Sequence, residues 1–166
     1  MIVFQDLNGI RVELTFEKGT FPIRAMHVLV LAKHENKWLL TKHPKRGLEF
    51  PGGKVEVNET VEKAAVRETL EETNVDIHNV EWFAEYMVFD VEPFCKAVFV
   101  ATIRAINENK VNYETEGAVW LTTEELVNNE DLSFHMKDVG MQVILGKADV
   151  YEAKWDNRKD TGLSFS

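Results

Sequence analysis

Three glutamates near the middle of the chain are spaced so that their side chains can act together. Glu68, Glu71 and Glu72 stand at i, i+3 and i+4, which places their carboxylates on one face if the segment is helical. Like charges at this spacing cost an isolated helix about 0.2–0.5 kcal/mol per pair, so a nearby cation is expected. Mg²⁺ prefers oxygen ligands and combines carboxylates with substrate phosphates. The cluster therefore predicts a site for a divalent metal and a phosphate group.

The segment around this cluster resembles the signature of the Nudix hydrolase family, G-x5-E-x7-R-E-U-x-E-E-x-G-U, in which U is aliphatic. The matching positions are Gly53, Glu59, Arg67, Glu68, Glu71, Glu72 and Val75. Thr69 replaces an aliphatic residue, and Asn74 replaces the second glycine. Because Asn tolerates the left-handed conformation that ends many helices, we expect Asn74 to adopt it. The alternative, a solvated acidic helix face, does not account for the other matched positions.

The resemblance implies a set of metal ligands. The carbonyl of Gly52 and the carboxylates of Glu68 and Glu72 are expected to bind metal, with Glu71 beside them as a ligand or a neighbour. The implied cofactor is Mg²⁺ or Mn²⁺. The preceding residues Leu48–Gly52 and the following Lys54 also resemble the MutT subgroup of the family.

Two further box residues are expected to hold these ligands in place. The guanidinium of Arg67 can bind a carboxylate through two hydrogen bonds, which orients it and keeps it ionised. We therefore place Arg67 with Glu68 among the catalytic groups, and the alternative is a surface ion pair with Glu71. Glu59 is expected to tie the loop before the helix to the helix itself.

A fourth acid is expected from outside the helix. In the MutT subgroup a metal-binding glutamate precedes a tryptophan by six residues, and Glu114 has this spacing to Trp120. The resemblance therefore implies that Glu114 binds metal and takes part in catalysis. Glu116 is the alternative, and the remaining alternative is that both are ordinary loop acids.

Candidates for substrate binding come from a basic segment before the box. Lys42, His43 and Arg46 precede the glycine corner in an otherwise acidic chain, which favours a role in phosphate binding. In MutT a phosphate-contacting arginine occupies the place of His43, so the resemblance implies that this role is weakened here or has moved to Lys42 or Arg46. Phe50 is predicted either to stack on a base or to fill the core. His135 is a weaker candidate for contact with the base.

The hydrophobic pattern predicts the elements that position these residues. Residues 10–16 alternate as in a half-buried strand, and residues 28–32 are apolar throughout, as in a strand covered on both faces. Residues 38–41 form a hairpin partner. Thr60 is predicted to begin a helix that runs to about Thr73. The residues of that helix expected to face the core are Val66, Thr69, Leu70 and Thr73.

The remaining pattern completes a mixed fold. Strands are predicted at 80–89, 94–105 and 119–121, a short helix after Thr122, and a C-terminal helix from Ser133 to about Glu152. Strands around one helix with another helix at the end indicate an α+β protein with a mixed sheet between helices. The resemblance implies the Nudix α/β/α sandwich. We expect a single domain over residues 1–153 and a frayed tail over 154–166.

Composition limits the classes of partner. The chain has 166 residues, 45% of them hydrophobic, and a net charge of −9, which argues against binding to duplex DNA or acidic membranes. The single cysteine, Cys95, excludes an intrachain disulfide and is expected to be buried. Neither a secretory signal nor a membrane-spanning apolar run is visible. We therefore expect a cytoplasmic location.

The resemblance predicts a pyrophosphohydrolase that splits nucleoside triphosphates into nucleoside monophosphate and pyrophosphate. Oxidised guanine nucleotides such as 8-oxo-dGTP are the leading substrates, which implies a role in sanitising the nucleotide pool and in DNA repair. Removal of pyrophosphate from the 5′ end of RNA is the alternative reaction. A nucleotide-sensing domain without catalysis is the alternative class, although the box glutamates that such a domain would lose are all present. ADP-ribose hydrolysis and structural calcium binding are disfavoured, because the proline and the acidic loop that mark them are missing.

Overall fold

The computed structural model describes residues 1–108, 115–156 and 164–165. The strands are β1 (Ile2–Gln5), β2 (Arg11–Thr15), β3 (Ala25–His34), β4 (Lys37–His43), β5 (Gly47–Glu49), β6 (Gly52–Lys54), β7 (Val75–Val88), β8 (Phe94–Ile106), β9 (Ala118–Leu121) and β10 (Ser164–Phe165). The helices are α1 (Val61–Thr73), α2 (Thr123–Val127) and α3 (Val139–Asp156), with a 3₁₀ turn at Phe134–Met136 before α3.

One mixed sheet organises the described residues. Its strand order is β1-β2-β7-β8-β3-β4-β5, with β6 beside β3, β9 beside β4 and β10 beside β8. Strands β3 and β8 run parallel, whereas β7 and β8 run antiparallel. The predicted α+β class with a mixed sheet is therefore confirmed.

The sheet is covered on both faces, as the apolar pattern of residues 28–32 predicts. Leu31 of β3 packs on one face with Ile144 of α3. Its neighbours Val30 and Ala32 pack on the other face with the alanines of α1. Successive residues of a strand point to opposite faces, so a strand between two helices must be apolar throughout. The layers form the predicted α/β/α sandwich.

The buried face of helix α1 overlaps the predicted one, since Thr69 and Thr73 are buried as expected, but it is centred on two alanines. Ala64 and Ala65 are completely buried against the sheet, and the residues buried with them are Thr69, Glu72 and Thr73. Val66 and Leu70, which were expected in the core, are only partly buried. The short alanine side chains let the helix lie close to the sheet, and the 3.6-residue period then turns Glu72 inward beside Thr69.

The segment after α2 also differs from the prediction. The chain forms the 3₁₀ turn first, and α3 begins only at Val139, where a carboxylate oxygen of Asp138 accepts the backbone N–H of Met141 at 2.8 Å. The helix continues to Asp156 and so includes the first residues of the predicted tail 154–166. Within the same tail Ser164–Phe165 pair with β8, while residues 157–163 and 166 lie outside the described residues.

The prediction of a buried cysteine is confirmed. Cys95 is buried, with its Sγ 3.3 Å from the Sδ of Met87. None of the helices in the described ranges is both long enough and apolar enough to cross a membrane.

Candidate functional site

The start of α1 places the box carboxylates beside a glycine corner. As predicted, Thr60 caps the helix, and its side chain accepts the backbone N–H of Lys63 at 3.2 Å. Strand β6 pairs antiparallel with β3, so that Gly53 lies opposite Val28 and Gly52 opposite Leu29. This pairing holds the corner at the edge of the sheet, next to the face of α1 that carries the glutamates.

Both glycines of the corner are required by close contacts. A Cβ on Gly52 would lie 2.1 Å from the carbonyl oxygen of Val28, which is backbone and cannot move aside. A Cβ on Gly53 would lie 2.5 Å from the carboxylate of Glu68. The second glycine therefore leaves space for a carboxylate, and it links the corner to the acidic face of the helix.

The three clustered glutamates have different environments. Glu72 is only 7% exposed, and its Oε1 accepts the backbone N–H of Gly52 at 2.9 Å. The side chain of Glu68 is 13% exposed, whereas that of Glu71 is 46% exposed. The carboxylate of Glu72 is thus held against the glycine corner, that of Glu68 lies next to Gly53, and that of Glu71 faces solvent.

Arg67 binds several of these acids at once. Its guanidinium donates to both carboxylate oxygens of Glu59, at 2.7 and 3.0 Å, to Glu68 at 3.0 Å and to Glu71 at 3.2 Å. It also donates to the backbone carbonyl of Lys54 at 3.0 Å. Arg67 therefore makes both the brace and the i, i+4 ion pair that the sequence left as alternatives. In this arrangement it contacts carboxylates and the loop rather than the open face of the site.

Glu59 joins the loop to the helix. Besides its two bonds to Arg67, it accepts the backbone N–H of Glu56 at 3.0 Å. The hydrogen bonds from Arg67, and then the one from the Glu56 backbone, lower the pKa of Glu59 to about 2. The carboxylate is therefore ionised at neutral pH and fixes the orientation of the guanidinium.

The box residues fit a hard divalent cation. Their donors are carboxylate oxygens, which Mg²⁺ and Mn²⁺ prefer, and the missing side chain of Gly53 lets the carboxylate of Glu68 lie against the corner. As placed, no three acidic, histidine or cysteine side chains within the described ranges converge enough to enclose an ion. Arg67 orients Glu68, and the Gly52 N–H orients Glu72.

Glu114 lies outside the described residues. The residue after it, Thr115, is buried, and its hydroxyl donates to the backbone carbonyl of Glu72 at 2.6 Å. The hydroxyl of Thr41 donates to the same carbonyl at 3.4 Å. The segment that follows Glu114 is therefore attached to the end of α1. Glu116, the alternative, is exposed and forms an ion pair with Lys42 at 3.4 Å.

The structure does not bring the predicted basic segment together at the site. Lys42 pairs with Glu116, and the Nδ1 of His43 accepts two backbone N–H groups, from Lys45 and Arg46, at 3.1 Å each. Arg46 binds Glu49 through two hydrogen bonds, at 2.7 and 3.2 Å. These bonds close the turn between β4 and β5, and only Arg46 of the three predicted residues reaches the cleft described below.

Phe50 fills the core. It is 2% exposed and packs edge to face against Trp38, with ring centroids 5.7 Å apart. Of the two predicted roles, the structure shows packing, because a ring enclosed in this way offers no free face to a base.

A cleft of about 500 Å³ begins at the glycine corner. A row of paired residues, one from each of four neighbouring strands, crosses its floor. Lys54 of β6 lies opposite His27 of β3, and His27 lies beside Lys96 of β8. Lys96 in turn lies opposite Tyr86 of β7. Residues that precede or begin α3 form another wall, including Phe134, His135 and Asp138. The cleft thus joins the metal-binding corner to elements far away in sequence.

Sequence reasoning missed most of this cleft. His27 lies in the floor of the cleft; its ring centroid is 4.6 Å from that of Phe94, and its Nδ1 is buried without a hydrogen-bond partner. Lys96 received no role, although a lone lysine inside the apolar segment 94–103 was an available signal. Asp138 gave no local signal, because its position depends on where α3 begins.

Comparisons with known proteins agree with this geometry. Residues 21–142 match the NUDIX domain family. The chain is 36% identical over 158 residues to "Putative 8-oxo-dGTP diphosphatase YtkD" of Bacillus subtilis, covering 93% of this chain and 99% of that protein.

Solved structures give the same result. A variant of the Bacillus subtilis pyrophosphohydrolase BsRppH is 34% identical, with a TM-score of 0.83 over 91% of this chain and 98% of that one. A Nudix hydrolase from Nitrosomonas europaea shares the fold at 18% identity, with a TM-score of 0.62 over 80% of this chain and 91% of that one. With the box residues placed around a glycine corner and the family match spanning most of the sequence, the chain belongs to the Nudix hydrolases.

Proposed function

We propose that this protein hydrolyses nucleoside triphosphates to nucleoside monophosphate and pyrophosphate, in the cytoplasm and with Mg²⁺ or Mn²⁺ as cofactor. The observation that carries the proposal is the glycine corner, which contacts the carboxylates of Glu68 and Glu72 and also lines a cleft with room for a nucleoside. Oxidised guanine nucleotides such as 8-oxo-dGTP are the leading substrates. Similarity to YtkD along nearly its whole length supports this choice and a role in nucleotide-pool sanitisation and DNA repair.

The cation would be held by Gly52, Glu68, Glu71 and Glu72, where it supplies positive charge against the diphosphate linkage. Arg67 orients Glu68 and Glu71, and Glu59 in turn orients Arg67. The net charge of −9 would otherwise repel a triphosphate, so the cation and the basic side chains of the cleft must offset it at close range. Of these side chains, Lys54 follows the corner directly and Arg46 lies on the cleft wall.

Glu114 is proposed as the acid on the attacking side. The glutamates of α1 approach the linkage from one helix, whereas in-line displacement needs a group on the opposite side to orient and deprotonate water. The bond from Thr115 to the Glu72 carbonyl supports this role, because it attaches the segment after Glu114 to the end of the box helix.

Product analysis tests the reaction. Purified protein with Mg²⁺ is incubated with 8-oxo-dGTP, dGTP and other nucleoside triphosphates, and released pyrophosphate is measured with added pyrophosphatase. In ¹⁸O-water we expect label in pyrophosphate and none in the monophosphate, as attack on the β-phosphorus requires. Label in the monophosphate would contradict the attack site. Absence of turnover on every nucleotide would contradict the proposed reaction.

Removal of pyrophosphate from the 5′ end of RNA is the second candidate. One observation favours it: Phe134 lies on the cleft wall and is 37% exposed, so its ring is accessible to a base of a longer substrate. Aromatic faces of this kind bind successive bases of single strands by stacking. A higher kcat/KM on a 5′-triphosphorylated oligonucleotide than on free nucleotides, and a loss of that advantage in Phe134→Ala, would establish this candidate over the first.

A further inference from the structure

The row of paired residues on the cleft floor has two chemically different ends. Lys54 follows the glycine corner, where the diphosphate would bind, whereas Lys96 and Tyr86 lie two and three strands farther across the sheet. Neighbouring strands are about 4.8 Å apart, which puts Lys96 about 10 Å from Lys54 along the row. That separation is comparable to the distance from the phosphates of a nucleotide to its base.

The far end of the cleft suits a flat ring. Tyr86 is 7% exposed and forms part of its floor, while Phe134 and Met141 come from the segment that leads into α3. Apolar walls with a few polar groups are typical of small-molecule sites, in which the polar groups set the orientation of the ligand.

Two oppositely charged groups stand among these apolar walls. Burial lowers the pKa of the Lys96 ammonium, and the nearby carboxylates of Glu49 and Asp138 act in the opposite direction. Glu49 is already bound to Arg46. One oxygen of Asp138 accepts the N–H of Met141, which fixes the side chain and leaves the carboxylate further capacity to accept. The pair therefore offers a donor and an acceptor in fixed positions.

We propose that Lys96 and Asp138 select the base of the substrate, and that they favour a base with a carbonyl beside a ring N–H, such as guanine or hypoxanthine, over adenine. The inference rests on the proposed function, because it takes the phosphates to be held at the box. The ammonium donates to the carbonyl oxygen and the carboxylate accepts from the ring N–H, which is the pairing lysine makes with guanine O6 elsewhere. Adenine presents an amino group and an unprotonated ring nitrogen at the same edge. The Lys96 ammonium would then face another donor, and the Asp138 carboxylate would face another acceptor.

Inosine and adenosine triphosphates provide a matched pair of substrates, because they differ only at this edge. We expect the wild-type protein to have a kcat/KM on ITP and GTP about 10–100-fold above that on ATP, the discrimination typical of one well-placed base contact. Lys96→Met should lower the ITP/ATP ratio to near one. Lys54→Met, on the same row, should lower kcat/KM on both substrates by the same factor, since phosphates are common to both. Lys137→Met, an exposed neighbour outside the cleft lining, is the control and should change neither value.

A second variant tests the acid. Asp138→Asn retains a cap for α3, because Asn caps helices about as well as Asp. The amide oxygen of the new Asn side chain would serve that cap, so its NH₂ group would face the ring N–H of the base. The ratio of kcat/KM on ITP to kcat/KM on ATP should therefore fall. Calorimetry with IMP and AMP and without metal gives a readout independent of turnover, and the wild type should bind IMP more tightly.

The outcomes separate this inference from the reaction itself. Hydrolysis of ITP and ATP with equal efficiency by the wild type, or equal binding of IMP and AMP, overturns the selection of the base while the proposed reaction stands. An unchanged ITP/ATP ratio in Lys96→Met removes Lys96 as the selecting group. If that variant does not fold, the wild-type ratio and Asp138→Asn decide. Absence of turnover on every nucleotide, with IMP still bound more tightly than AMP, would overturn the reaction and leave the base site in place.

Discussion

The box and the far end of the cleft are built in opposite ways. Glu59, Arg67 and the three clustered glutamates lie within 14 positions of one another and are joined by hydrogen bonds around a single guanidinium. The far end of the cleft combines residues from two strands and the start of α3, namely Lys96, Tyr86 and Asp138. They are distant in sequence and meet only because the sheet brings them together. If the proposed function holds, the box carries the chemistry common to all substrates, and the far end of the cleft sets which base is accepted.

The largest effect is expected from removing a charge at the box. Glu68→Gln or Glu72→Gln should lower kcat by about 10²–10⁴-fold on every nucleotide, since the loss affects the reaction and not the base. The unfolding temperature without metal should change little, because the amide oxygen of Gln can still accept the hydrogen bond from Arg67 or Gly52 while repulsion between the carboxylates falls. Glu62→Gln, an exposed residue in the first turn of the same helix, is the control. Wild-type turnover in either variant at saturating Mg²⁺ would break the assignment of the metal site to the box.

The fourth acid tests whether the box is sufficient. Glu114→Gln should lower kcat by about 10–10⁴-fold, with the larger value if it takes a proton and the smaller if it only binds metal. Glu116→Gln should do much less, because Glu116 is exposed and paired with Lys42. Steady-state kinetics on one nucleotide compares the two variants. An unchanged kcat in Glu114→Gln would show that another group orients and deprotonates the attacking water.

A smaller effect is expected where the box helix ends. Asn74 has a φ of 60° and ψ of 20°, the predicted left-handed conformation, and its N–H donates to the carbonyl of Leu70 at 2.9 Å. Asn74→Val should destabilise the fold by about 1–2 kcal/mol, because a β-branched side chain is strained there, whereas Asn74→Gly should be nearly neutral. Urea unfolding measures both variants. Equal stability of the two would mean that the left-handed conformation does not explain this departure from the family signature.

The smallest expected effect is the pH dependence of the Glu59–Arg67 pair. Because the pKa of Glu59 is lowered to about 2, the pair contributes stability above the usual pKa near 4.5 and loses it as the pH falls toward 2. Urea unfolding without metal should show Glu59→Gln to be less stable than wild type at neutral pH, with the difference shrinking below about pH 4.5 and disappearing only below about pH 2. A constant difference at all pH values would indicate that packing, rather than ionisation, holds the loop to the helix.

Predictions from sequence succeeded where the deciding interactions are short in sequence. The cap at Thr60, the left-handed Asn74 and the apolar run 28–32 of β3 were all predicted from neighbouring residues, and the structure confirms them. The buried face of α1 was predicted only in part: Thr69 and Thr73 are buried as expected, but close packing on the sheet selects Ala64 and Ala65 over Val66 and Leu70. Of the basic segment, Arg46 lines the cleft, and its role in phosphate binding stays a prediction. Turn hydrogen bonds and ion pairs with Glu49 and Glu116 occupy residues that sequence could only recognise as positive.

The sequence by itself determined the chemistry of this protein, because the spacing of Gly53, Glu59, Arg67 and the glutamates is fixed along one loop and one helix. Helical periodicity converts such spacing directly into a shared face. Only the tertiary structure decided what lies opposite that face. Strand pairing sets His27 between Lys54 and Lys96, and the start of α3 sets Asp138, at sequence separations that local patterns do not encode. Contacts of this kind depend on the register of the sheet, which the whole core determines.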